Sequence, residues 1–239
     1  MQISMEWMPS RRQRWFDAPC HLCRLDTVDP DGLCPDCRRE WRAALGRPRC
    51  RGCGLILAGD GADGKTCAAC VGKPSAFEGV IAAVDLDPSV RALVHRLKYR
   101  QDFSVVPLLQ ATLVEAVRAD GAVGDIDVLV PMPLHPRQRR RRGFNQSWLL
   151  ADGVARATGL PLLRRGVRRV RDTGSLTALS ARERRRTLKG AFAVDGTVPR
   201  RVAIIDDVLT TGASARALAA ALRQAGAASV SVWALARTP

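Results

Sequence analysis

The apolar positions fall into two regimes that meet near residue 75. Ahead of that point Pro19, Pro30, Pro35, Pro48 and the glycine-rich stretch 58–64 interrupt every apolar run, so this part reads as loop. From Phe77 onward, short apolar runs alternate with segments of helical period. Phe77–Leu86 predicts a strand. Pro88–Lys98 predicts a helix with Val90, Leu93, Val94 and Leu97 on one face. A second helix is expected over Val105–Ala119 and a short, continuously apolar strand over Asp127–Pro131. Asn145–Thr158 reads as a helix with Asn145 as its N-cap and Gly159 beyond its end. Leu162–Val170 and Ala191–Val194 are weaker strand candidates. Val202–Ile205 is a strand buried on both faces, Ser214–Ala225 a helix closed by Gly226, and Ser229–Leu235 the last strand. Strands separated by helices predict the α/β class: a parallel, doubly wound sheet flanked by helices over residues 76–239, behind a small module over residues 1–75. The stretch 171–190 fits no element, and a long loop inside a compact domain is usually functional.

The cysteines give the early region its meaning. All eight fall in Cys-x-x-Cys pairs: Cys20 with Cys23, Cys34 with Cys37, Cys50 with Cys53, and Cys67 with Cys70. Such a knuckle sets two thiolates on one side of a tight turn, and two knuckles complete a tetrahedral Zn2+ site. Two structural zinc ions are therefore expected, forming a double zinc ribbon. Sequential pairing needs the shortest loops; an interleaved cross-brace is the alternative. Eight thiolates leave neither metal an open position, so the sites read as structural, and His21 as a bystander.

No run of about 18 apolar residues exists, so no membrane span is expected, and the first 19 residues lack the apolar stretch of a secretory signal. The expected location is cytoplasmic. The net charge of +15 is concentrated: residues 137–201 carry 18 Lys/Arg against four acids. Such a surplus repels itself and favours an anionic partner, although much of it also suits a solvated face. Arg137–Arg142 holds five arginines in six residues, suited to a diphosphate or to a nucleic-acid backbone. Arg164, Arg165, Arg168 and Arg169 resemble exposed positions near a strand. Trp148 falls in a helix expected to pack on the sheet, leaving no evident base-stacking platform. His95 and His135 have no carboxylate partner visible in the sequence and read as packing or loop residues.

The most informative stretch runs from Val202 to Ser214. A buried apolar strand is followed by Asp206 and Asp207, where the strand is expected to end. Thr210-Thr211-Gly212-Ala213-Ser214 then runs into a helix. Ligands of doubly wound sheets bind beyond the carboxyl ends of the strands, and a helix N-terminus offers N–H groups and partial positive charge to a phosphate. Gly212 permits close backbone approach and the hydroxyls add donors. Carboxylates beside a phosphate need another target, and ribose hydroxyls with Mg2+ supply one.

This stretch resembles the signature of type I phosphoribosyltransferases, and its surroundings resemble the ComF (competence protein F) family. The matching pieces are Leu97-Lys98-Tyr99, Val130-Pro131-Met132-Pro133-Leu134-His135, Arg142-Gly143-Phe144-Asn145-Gln146, Leu179-Ser180, Glu183-Arg184 and Ala191-Phe192, behind a similar cysteine-rich start. The resemblance implies a type I phosphoribosyltransferase-like sheet. It implies that Asp206 and Asp207 bind the ribose hydroxyls of phosphoribosyl diphosphate and that Thr210, Thr211, Gly212, Ala213 and Ser214 bind its 5′-phosphate. Val130–Gln146 would form the diphosphate loop with Arg139 and Arg142 nearby, while Lys98 and a mobile loop around Arg171–Arg186 close over the ligand. Lys98, Arg142 and Mg2+ would stabilise the leaving diphosphate. Leu176 and Thr187 depart from the Gln and Asn usual in the family. The resemblance also implies a role in uptake of transforming single-stranded DNA, beside a helicase and recombination proteins. A non-catalytic module binding a nucleotide or single-stranded DNA is the rival, and nucleotide salvage a third reading that predicts no cysteine module. Nothing in the sequence identifies a nucleophile or an acceptor pocket.

Overall fold

The computed structural model describes residues 19–25, 31–57, 66–73, 75–172 and 187–239. The chain forms two compact units, Met1–Ala44 and Leu45–Pro239. The early region is not all loop. Cys34 leads into helix α1 (Pro35–Leu45), which buries Trp41. Pro35 at its start and Asp36 in its first turn suit a helix N-terminus. One buried anchor in 11 residues leaves no periodicity to detect.

In the second unit four strands make one parallel sheet in the order β1 (Val80–Asp85), β6 (Ser229–Arg237), β5 (Arg201–Leu209), β2 (Val128–Pro131). Between β1 and β2 come α2 (Pro88–Arg100) and α3 (Val106–Asp120). Between β2 and β5 come α4 (Pro136–Arg142), α5 (Gln146–Thr158) and the strands β3 (Val167–Arg169) and β4 (Phe192–Val194). Helix α6 (Ala213–Gln224) joins β5 to β6. Alternate strand residues face opposite sides. Val128, Val130, Val202, Ile204, Val230 and Val232 share a core with Leu218 and Leu222 of α6. Leu129, Ala203, Ile205, Trp233 and Leu235 are equally buried, and α3 and α5 pack against each other and the sheet. The parallel α/β expectation therefore holds, with helices on both faces.

Three details depart from the expected pattern. β3 and β4 do not join the sheet; they pair with each other, antiparallel, from Val167↔Val194 to Arg169↔Phe192. Arg137–Arg142 is helical, capped by His135, whose Nδ1 accepts from Arg137 N–H at 3.3 Å, and by Gly143 at φ +85°. Finally, β5 does not stop at Ile205. Its pairing with β2 ends at Pro131↔Ile205, where Met132 N–H donates to Ile205 O at 2.8 Å. Its pairing with β6 continues to Leu209↔Arg237. The last four residues of β5 thus have a strand neighbour on one side only, and a small cleft lies there beside Asp206.

Candidate ribose-phosphate site, basic groove and cysteine quartets

Asp206 and Asp207 lie within β5 and are buried. The first turn of α5 donates to one oxygen of each. Ser147 Oγ donates to Asp206 Oδ1 at 3.1 Å, and Gln146 Nε2 to Asp207 Oδ1 at 3.2 Å. That turn is itself fixed by Asn145. Its Oδ1 accepts from Ser147 N–H at 3.1 Å while its Nδ2 donates to Met132 O at 3.0 Å. Lys98, in the last turn of α2, forms an ion pair with Asp207 Oδ2. Arg142, the last residue of α4, donates to Gln146 Oε1.

This setting drives the two carboxyls apart. Burial, then repulsion from Asp207, pushes Asp206 up to about 7. Burial pushes Asp207 up as well, but Lys98, Gln146 and Arg142 outweigh it and hold the group below its ordinary range. The arrangement offers one carboxylate already matched to a cation and one carboxyl that gains most from a new one.

Beyond β5, residues Val208–Ala215 and Asp206 line a small cleft. Gly212 sits at φ +70° as the N-cap of α6, and no side chain caps the helix, so its first N–H groups face the cleft's loop without a side-chain acceptor. Thr210 and Thr211 are exposed. Arg237 Nη1 donates to Leu209 O at 3.2 Å, and Arg216 donates to Thr211 O.

The expected site residues divide into two groups. Lys98, Arg142, Asp206 and Asp207 are joined by the contacts above, with the Thr210–Ser214 loop following on the same strand. Arg139 lies instead in a broad groove of about 1060 Å³ that does not include the acidic pair, and Arg171 is exposed beside Gly190. Residues 173–186 of the loop Arg171–Arg186, Leu176 among them, lie outside the described residues. The groove runs between α4, α5 and β3. It is lined by Arg139, Arg140, Arg164, Arg165, Arg168 and Arg169, with no acid among the described residues that line it. Trp148 lines it too, half-buried instead of packed away on the sheet, with the Arg164 guanidinium 5.9 Å from its ring centroid. One aromatic ring therefore borders the groove, with an arginine already over it. Arg169 is not exposed. It is buried, 5.7 Å from the Phe192 ring centroid, and its charge is felt by Asp206 and Asp172. His135 has an acid nearby, Asp172 at 3.7 Å, and the nitrogen facing it is the one that caps α4. His95 packs against Tyr99 at 4.8 Å.

Two contributors were not legible in the sequence as site residues. Ser147 looks like an ordinary first-turn serine; only the Asn145 cap signals that its side chain is held. Gln146 was visible only as part of the Arg-Gly-Phe-Asn-Gln run.

The cysteines form two quartets, Cys20, Cys23, Cys34, Cys37 and Cys50, Cys53, Cys67, Cys70, each with its four sulfurs within 4.8 Å of one another. Pairing is thus sequential, one quartet in each compact unit. The Cys23–Cys34 and Cys53–Cys67 sulfurs are 3.6 and 3.7 Å apart. A tetrahedron of sulfurs about 2.3 Å from zinc has edges of about 3.8 Å, whereas a disulfide is near 2.05 Å. The donor set fits zinc. Although burial opposes ionisation, backbone N–H groups bring Cys20 down to about 6 and Cys50 to about 7. Burial and the neighbouring sulfurs instead push Cys53 up to about 12. Four thiolates cannot share such a space without a cation. His21 belongs to neither quartet; its ring lies against Gly32.

Fold and site together define a parallel α/β protein with an acidic strand end, a hydroxyl-rich loop at a helix N-terminus and two metal-ribbon quartets. No family model matches the chain. The chain is 35% identical to the DNA utilization protein YhgH of Salmonella typhi, over 92% of this chain and 96% of that one. It is 30% identical to competence protein F of Haemophilus influenzae, over 93% and 98%. It is also 32% identical to competence protein ComFC of Streptococcus pneumoniae, over 45% and 47%. The chain belongs to the ComF family. Among the described residues no helix is long and apolar enough to cross a membrane.

Proposed function

We propose that this protein binds phosphoribosyl diphosphate with Mg2+ at the carboxyl end of β5 and acts on DNA taken up during natural competence. One observation carries the first half. Asp206 and Asp207 are buried where β5 outruns β2, between Lys98 and an α6 N-terminus that no side chain caps. In this reading the two aspartates take the ribose hydroxyls, and Thr210–Ser214 take the 5′-phosphate through N–H and hydroxyl donors. Lys98 and Arg142 face the diphosphate, with Arg139 and Arg171 further out. When bound, Mg2+ would supply further neutralisation of the charge on the departing diphosphate. The protein's work is positioning and electrostatics: no side chain among the described residues is placed to act as a nucleophile, and the charge that develops on the diphosphate meets fixed cations. The names of the relatives support the DNA half.

The basic groove favours a second, compatible reading, in which single-stranded DNA is held there without turnover. Its arginines suit phosphates, and Trp148 suits a base.

Calorimetry tests the first reading. Phosphoribosyl diphosphate with Mg2+ should bind the wild-type chain and fail to bind the folded Asp206→Asn, Asp207→Asn variant. Unchanged affinity would refute the assignment. Diphosphate release in the presence of acceptor bases then distinguishes a phosphoribosyltransferase from a binding module. For the groove, anisotropy of a labelled single strand should weaken steeply with salt. Replacing Arg164 and Arg165 with Ala should flatten the log–log slope by about 1.4, at about 0.7 per lost phosphate contact.

A further inference from the structure

The second cysteine quartet belongs to the same compact unit as the sheet, and its knuckle is bonded directly to the sheet edge. Val80 N–H, at the start of β1, donates to Arg51 O at 2.8 Å. Arg49 Nη1 donates to Gly54 O at 3.1 Å and to Asp85 Oδ1 at 2.8 Å, at the other end of β1. Gly54, at φ +74°, seats the chain so closely that a Cβ would lie 3.0 Å from Val80 Cγ1 and 3.2 Å from the Ala82 Cβ.

One side chain carries the connection further. Arg237, the last residue of β6, donates from Nε to Cys53 O at 2.8 Å and from Nη1 to Leu209 O at 3.2 Å. Cys53 is a ligand of the second quartet; Leu209 is the last residue of β5, immediately before Thr210. The guanidinium therefore spans the metal knuckle and the root of the Thr210–Ser214 loop. Its planar fork suits two acceptors at a fixed spacing, which a single ammonium cannot reproduce.

We propose that Arg237 is a positioning residue that holds the phosphate loop against the second metal knuckle, so that metal at Cys50, Cys53, Cys67 and Cys70 sets the loop's order and anion affinity. Zinc there would act on ligand binding from outside the site, through one arginine. The affinity part rests on the proposed phosphoribosyl reading; the loop-order part does not.

The test uses the full zinc-loaded chain and two readouts, amide hydrogen exchange over the loop and the first turn it leads into, residues 210–218, where Arg216 N–H is bonded to Gly212 O, and calorimetric affinity for phosphoribosyl diphosphate with Mg2+. Arg237→Met should keep two zincs, raise exchange across the loop about tenfold and weaken binding about tenfold, as expected for losing hydrogen bonds from a charged donor. Arg237→Lys should recover part of both losses. Gly54→Val, which unseats the knuckle while leaving every cysteine and Arg237 in place, should loosen the same loop. In Arg237→Met it should add little, because the path is already cut. Loop exchange within twofold of wild type in Arg237→Met overturns the proposal. So does full additivity of Arg237→Met and Gly54→Val. If the wild-type chain binds no phosphoribosyl diphosphate, the functional reading fails while loop exchange still decides the role of Arg237.

Discussion

Asp206 and Asp207 are adjacent in β5, yet their surroundings give them different charges near neutral pH. For Asp206 the folded pKa, about 7, lies above the ordinary 3.8. Between those values the unfolded chain has released a proton that the folded chain keeps, so stability falls as pH rises. Without Mg2+, thermal melts from pH 4.5 to 8 should show that fall in the wild-type chain and lack it in Asp206→Asn. Binding that needs the anion should strengthen as pH rises through about 7. Asp207 poses the opposite problem. Its ion pair with Lys98 is largely buried, with the lysine side chain 18% and the carboxylate 8% exposed. Replacing Lys98 by Met leaves that carboxylate unmatched, which should cost about 3 kcal/mol in urea unfolding. Adding Asp207→Asn should recover most of that loss, the mark of a direct pair.

Among the elements, α3 and α5 show how tightly the face behind the site is packed. Gly153 of α5 faces Gln110 of α3, and a Cβ there would lie 2.5 Å from Gln110 Cγ and 2.8 Å from its Cβ. Gln110 Nε2 also donates to Leu149 O at 2.7 Å. Gly153→Ala gains about 1 kcal/mol of helix propensity, but overpacking costs about 1–3 kcal/mol and the displaced glutamine loses its bond. A net loss of about 1–2 kcal/mol is expected by denaturant titration, relieved by Gln110→Ala. The elements legible in the sequence are those whose apolar period is their reason for existing: α2, α3, α5, α6 and the interior of each sheet strand. Helix α4 escaped because five arginines carry no apolar period; caps and Pro136 define it. Helix α1 escaped because Trp41 alone anchors it. The overrun of β5 was hidden because its apolar run stops at Ile205 while the backbone ladder to β6 continues regardless of side chain. Alternation also says nothing of strand direction, so the antiparallel β3–β4 pair could not be told from members of the sheet. In the site, the acids and the loop were readable because strand, carboxylates, glycine and helix are consecutive. Ser147 and Gln146 lie 59 and 61 residues from the groups they hold, a relation only folding creates.

At the scale of the molecule, the quartets set how much of the chain depends on metal. Metal analysis should return two zincs per chain, one for each quartet. Cys34 and Cys37 flank the start of α1, so a strong chelator should remove that helix's circular-dichroism signal before the sheet unfolds. A final consequence concerns genetics and belongs to the first turn of α5. Gln146 and Ser147 hold the acidic pair, while Trp148 and Leu149, next in line, wall the basic groove. Four consecutive residues serve two surfaces, so alleles in this turn should be pleiotropic and uninformative about either one. Separation-of-function alleles belong at the outer ends, at Lys98 for the acidic pair and at Arg164 for the groove. Such a pair should complement each other in trans only if the two surfaces can work on different copies of the protein.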